Sequence, residues 1–170
     1  MTEMADRPDV LVRLIADILR DRSLNICTAE SLTGGMVAVE ITAVEGASEF
    51  YCGSVVAYQS QMKTSVLGID AELLAAEGTV SEACATAMVL AGLRLLGADT
   101  CVATTGVAGP ASLEGKLPGS AWVAVGNRDA VEARYVSLPG VSRDEVRLRT
   151  VVEALSLTYD FLKNGDIPTR

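Results

Sequence analysis

The residues between Ser81 and Gly97 are apolar almost all the way round a helix. A helix of that kind must be buried on more than one side. Ser81 in front of it is a capping residue, and Gly97 behind it is a terminator. Directly after it comes Thr100 to Thr105, which reads as a buried-type strand. Such a helix beside such a strand calls for a layered architecture, and the remaining chain supplies the layers.

Val10, Leu11, Leu14, Ile15, Ile18 and Leu19 recur at helical spacing and predict a first amphipathic helix. Leu24 to Thr28 reads as a short strand, and Met36 to Ile41 as a second helix after a Gly-rich turn. Ser48 to Tyr58 is rich in aromatic and β-branched residues and predicts another strand. Helical stretches follow from Gln59 to Gly68 and from Ala71 to Ala76. Two strands, Ala121 to Gly126 and Val131 to Leu138, flank a turn at Asn127-Arg128-Asp129. Ser142 and Glu145 form a capping box for a last helix, with Leu148, Val151, Val152, Leu155, Tyr159 and Leu162 as its apolar stripe. The expected fold is α/β: a three-layer α/β/α sandwich on a mixed sheet that includes a C-terminal hairpin. The length of 170 residues suits one domain over 1–170, with 1–8 and 164–170 as loose tails.

The chain has a formal net charge of −8. An acidic surface repels a phosphate backbone, so nucleic acid is not an expected partner. No apolar run reaches membrane-spanning length, and Met1 to Asp9 lacks the apolar core of a signal peptide. A cytoplasmic location is therefore expected, with Cys27, Cys52, Cys84 and Cys101 as reduced, buried thiols.

Histidine is absent. That removes the Ser-His-Asp and Cys-His mechanisms and every histidine metal site. Ser31 lies where a strand runs into a Gly-rich helix start, a place where α/β folds expose ligand-binding groups. Capping alone also explains a serine there. A serine nucleophile needs a base, and a lysine can serve once burial lowers its pKa. Lys63 is one of only three lysines beside eleven arginines, which hold their protons. Tyr58 is placed to relay a proton or to sit at a strand edge, and Glu30 to orient a neighbour or to cap. Thr105, Gly106 and Gly109 belong to a segment that can bring backbone N–H groups close to a ligand or simply turn the chain. Arg143 and Arg147 stand one turn apart and are fit to clamp a phosphate, while surface pairing of Asp144 with Arg147 and of Glu145 with Arg149 is the competing expectation.

From about residue 10 to about residue 162 the chain resembles the C-terminal domain of the CinA family, the nicotinamide-nucleotide amidohydrolases. Thr28 to Gly35 is similar to the family's A-E-S-x-T-G-G motif. Gly53 through Tyr58 to Lys63 is similar to its G-x-x-x-x-Y-x-x-x-x-K stretch, Gly78 to Ser81 to G-x-V-S, and Thr105 to Pro110 to T/S-G-I-A-G-P. The resemblance implies hydrolysis of nicotinamide mononucleotide to nicotinic acid mononucleotide and ammonia. Ser31 would be the nucleophile, Lys63 its base and Tyr58 an assistant, with no metal and no cofactor. Glu30, Thr33, Gly34, Gly35, Thr105, Gly106, Gly109, Arg143 and Arg147 would bind the oxyanion or the nucleotide. A homodimer is implied as well.

Two segments depart from the family pattern. Pro110 is followed by Ala111 to Gly119, shorter than usual and without an Asp-Gly-Gly turn. The family's G-D-R becomes Val141-Ser142-Arg143. Both are expected to border the substrate, which keeps two alternatives open: the same chemistry on a different small amide, or a silent nucleotide-binding module.

Overall fold

The computed structural model describes residues 7–165. Of the expected tails, 1–6 and 166–170 lie outside the described residues. Pro8 already opens the first helix, and Asn164 still belongs to the last.

In chain order the elements are α1 (Pro8–Asp21), β1 (Ile26–Glu30), α2 (Met36–Thr42), β2 (Tyr51–Val56), α3 (Ser60–Ser65) and α4 (Ala71–Glu77). Then come α5 (Glu82–Leu96), β3 (Thr100–Val107), β4 (Ser120–Gly126), β5 (Val131–Ser137) and α6 (Arg143–Asn164). The five strands form one mixed sheet in the order β2-β1-β3-β4-β5. β1 pairs in parallel with both β2 and β3, while β3, β4 and β5 pair antiparallel. The expected sandwich and its C-terminal hairpin are present.

Two apolar cores lie on the two faces of the sheet. Alternating strand residues divide between them: Ile26, Val102, Val123 and Val125 face α1, α2 and α6, while Cys27, Ala29, Ala103 and Ala124 face α5. Helix starts obey the local chemistry read from the sequence. Ser81 Oγ accepts the Cys84 N–H, and Ser142 with Glu145 forms the full capping box.

The first strand lies at Ile26–Glu30, two residues later than the expected Leu24 to Thr28, and four further details depart from expectation. A 3-10 turn at Ala47–Glu49 takes up the first part of the segment expected as strand, so β2 starts only at Tyr51. Leu148 is exposed, because α6 turns Val146, Val151, Leu155 and Leu162 to the core instead. Cys52 is exposed, since β2 is an edge strand with every second residue outward; the other three cysteines are buried. Finally, α5 is covered by the sheet and by α4, yet leaves Leu90 and Leu95 exposed.

Gly92 of α5 lies directly against Cys101, Cys27 and Ala29 of the sheet, and this sets how near the helix comes. A Cβ added at Gly92 would stand 2.5 Å from Cys101 Sγ. Alanine in place of a helical glycine ordinarily gains about 1 kcal/mol, whereas overpacking a core costs about 1–3 kcal/mol. Contact this short makes the second effect win. Gly92→Ala is expected to lose about 1–2 kcal/mol, read as a lower urea midpoint. A midpoint that rises would show that α5 shifts freely over the sheet.

Candidate active site

The chain leaves β1 through α2 to reach β2 on one side. It then returns through α3, α4 and α5 to β3 on the other side. Connections diverging to opposite layers leave a crevice at the strand ends, the usual ligand position in α/β sheets. Ser31 follows the last residue of β1, and the segment from Thr105 ends β3 beside it.

The turn from Ser31 to Gly35 is fixed from inside by Glu30. This carboxylate is fully buried. It accepts hydrogen bonds from Thr33 Oγ1 at 2.7 Å, Gly35 N at 2.9 Å, Val37 N at 3.1 Å and Ala38 N at 2.9 Å. Glu30 thus answers the backbone donors that a helix start leaves unpaired. Gly35 sits at φ 95°, a left-handed conformation that suits glycine. From outside, Arg147 of α6 donates to the carbonyls of Leu32 and Thr33, both at 3.1 Å. Ser31 N donates to Thr104 O at 3.0 Å and so ties the turn to β3.

Lys63, in the last turn of α3, points into the same crevice. Its Nζ lies 3.1 Å from Ser31 Oγ and 3.4 Å from Ala57 O. Only 2% of Lys63 is exposed, against 6% of Ser31. Burial holds the lysine pKa below its ordinary 10.5, opposed by the nearby Cys84 and Glu114. The lysine reciprocates: burial raises the Cys84 thiol while the charge of Lys63 acts to lower it.

A pKa lowered by folding has a sign for stability. Between the folded and the ordinary value the native state binds fewer protons than the unfolded chain. Stability is lost as pH falls through that window, by about 1.4 kcal/mol for each pH unit the window spans. Lys63→Met is therefore expected to melt higher than the wild type near pH 7, with the advantage shrinking towards pH 10. An advantage that stays constant over this range would mean that the amine is not held neutral.

Around Ser31 and Lys63 opens a cavity of about 310 Å³. Thr105, Gly106, Gly109, Tyr58 and Arg143 line it, as do Thr79, Val80 and Pro110 to Leu113. Tyr58 is 54% exposed at the mouth, and its hydroxyl accepts from Arg143 Nη2 at 2.6 Å rather than meeting Ser31. Arg143 Nη1 also donates to Gly109 O at 2.6 Å.

Glu30, Thr33, Gly34, Gly35 and Arg147 are not among the lining residues. The resemblance implied them as ligand-binding, whereas here their polar groups bind within and around the Ser31–Gly35 turn, Glu30 in the capping role also open to it. Of the alternative surface pairs, Glu145 with Arg149 forms at 3.0 Å. Sequence reasoning passed over Thr104, whose hydroxyl meets Thr33 Oγ1 at 2.7 Å, and Thr79, whose carbonyl accepts from Thr105 Oγ1. The available signal was position: Thr79 stands within the Gly78–Ser81 motif, and Thr104 directly before the Thr105–Pro110 motif. Among the described residues no group of three or more His, Cys, Asp or Glu is placed to hold a metal ion. No helix among them is long and apolar enough to cross a membrane.

The family model for the CinA C-terminal domain matches residues 9–162. This chain belongs to the CinA family. It is 42% identical over 154 residues to a CinA-like protein of Frankia casuarinae, covering 91% of this chain and 35% of that one. It is 38% identical over 159 residues to a putative competence-damage inducible protein of Desulforamulus reducens, covering 94% and 38%. The chain thus spans about a third of the length of these CinA relatives. Among solved structures, the competence damage-inducible protein A of Klebsiella pneumoniae superposes with a TM-score of 0.89 at 33% identity, covering 94% of this chain and 99% of that one. A CinA superfamily protein of Escherichia coli superposes at 0.85 with 28% identity, covering 89% and 88%. The CinA fold and the mixed five-stranded sheet are one and the same architecture here.

Proposed function

We propose that this chain is a serine–lysine amidohydrolase that converts nicotinamide mononucleotide to nicotinic acid mononucleotide and ammonia. The observation that carries this reading is the 3.1 Å approach of Lys63 Nζ to Ser31 Oγ inside a crevice that disfavours the ammonium.

In the first step neutral Lys63 takes the proton of Ser31 Oγ as the oxygen attacks the carboxamide carbon. The ammonium so formed returns a proton to the amide nitrogen, the C–N bond breaks, and ammonia leaves. An acyl ester on Ser31 remains. Water then gives a proton to Lys63 and attacks the ester carbon. The C–Oγ bond breaks, Ser31 regains its proton and the carboxylic acid departs.

The N–H groups of Gly34 and Gly35 are already committed to Ser31 O and to Glu30. Oxyanion stabilisation is therefore assigned to the backbone that lines the cavity, at Leu32 and from Thr105 to Gly109. Arg143 at the mouth supplies a cation for the substrate phosphate, with Tyr58 holding its guanidinium in place.

The test is ammonia release from nicotinamide mononucleotide by the purified protein, followed against pH. Turnover should climb as pH rises through the depressed Lys63 pKa, because only the neutral amine is a base. Folded protein that releases no ammonia at any pH would sink the assignment.

A further inference from the structure

The loop joining β3 to β4 carries an unusual tip. Leu113 and Lys116 exchange backbone hydrogen bonds, at 3.1 Å and 2.8 Å, closing a two-residue hairpin. Its central residues, Glu114 and Gly115, have φ of 50° and 72°. Two successive positive values define a type I′ turn, which favours Asn-Gly or Gly-Gly. Glutamate in the left-handed region costs free energy, so something must compensate for it.

The compensation lies across the crevice. The Glu114 carboxylate accepts Thr79 N at 2.7 Å and Thr79 Oγ1 at 2.8 Å. It lies so close over the end of α4 that a Cβ on Gly78 would stand 2.9 Å from Oε2. The Thr79 carbonyl in turn accepts the hydroxyl of Thr105, and Thr79, Thr105 and the loop residues Pro110 to Leu113 all line the cavity. One side chain therefore ties the loop to the opposite wall.

We propose that Glu114 is a positioning residue that latches the β3–β4 loop onto Thr79 and so fixes the outer wall of the Ser31–Lys63 cavity. Without the latch the loop loses both hydrogen bonds by which Glu114 holds it to the α4–α5 junction, and the substrate must order it on binding. That ordering weakens affinity more than it slows the bond-making steps at Ser31. Removing the carboxylate also withdraws a negative charge that favours the Lys63 ammonium. The groups facing Lys63 are Ser31 from the β1 turn, Cys84 from α5 and Glu114 from the loop, with Tyr58 and Arg143 at the mouth. Only Glu114 is altered in the test.

The proposal rests on the serine–lysine reading of the cavity, so two of its readouts are independent of nicotinamide mononucleotide. Glu114→Gly keeps the turn, because glycine adopts the left-handed conformation freely, and deletes the carboxylate. Its thermal midpoint should hold or rise, while exchange of the Thr79 amide accelerates at least about tenfold. The pH midpoint for labelling Ser31 with a fluorophosphonate should move down. With the nucleotide as substrate, KM should rise about tenfold while kcat changes less than about threefold. Glu114→Gln keeps one acceptor oxygen and should fall between. Wild-type Thr79 exchange in Glu114→Gly overturns the latch. Faster exchange with KM and labelling midpoint both unmoved overturns its link to the cavity. Absent nucleotide turnover strikes the substrate assignment instead, since exchange and labelling still decide the latch.

Discussion

Ser31→Ala is expected to lower kcat for ammonia release by about a thousandfold or more, because the proposed mechanism forms the acyl ester on its hydroxyl and alanine has none to offer. Lys63→Ala should fall by about a hundredfold to ten-thousandfold, the ordinary worth of a positioned proton acceptor. The double variant should be little worse than either single one, since two residues that act as a unit are not additive. Lys63→Arg should not rescue, because the guanidinium keeps its proton. All variants must be shown folded by their urea transitions. Ammonia release by Ser31→Ala at near wild-type rate would remove the nucleophile from the mechanism.

Glu30→Ala is expected to destabilise the fold by about 3 kcal/mol or more, the largest stability effect of any substitution near the site. The side chain has no exposure and receives four hydrogen bonds of 3.1 Å or less from the Ser31–Gly35 turn and α2. Removing it leaves buried donors without an acceptor, each costing about 1–3 kcal/mol. Typical domains have about 5–15 kcal/mol in total, so the alanine variant can fail to fold at all. Glu30→Gln keeps the shape but turns an amide N–H towards backbone N–H donors, and should lose about 2 kcal/mol. Unchanged urea midpoints in both variants would show that the turn is held by other means.

The fold was largely legible because its start and stop signals are local. Ser81 and Ser142 cap the helices that follow them, and the alternation of helix with strand marks out the layers. The start of β2 was not legible, since the 3-10 turn before it carries the same mixture of residues as a strand end. Within the site, the absence of histidine made Lys63 a candidate partner for Ser31, but the family resemblance was what joined the two, and their side chains meet at 3.1 Å. Glu30 was legible as a capping carboxylate, which it is, but the role of Arg147 was not. Arg147 binds carbonyls of the Ser31–Gly35 turn from 114 and 115 residues away, and sequence gives no sign of which carbonyl a charge will meet.

The tip of the loop between β3 and β4, Leu113 to Lys116, sits outside both apolar cores, and Leu113 lines the cavity beside Ser31. Insertions and deletions there cost little closure entropy and leave Ser31 and Lys63 where they are. Divergence within such a lineage can then run on two clocks. The turn built by Glu30 and Arg147 is slow to change, because each substitution strands a buried partner. The loop is quick to change, and with it the choice of molecule admitted to an unchanged pair.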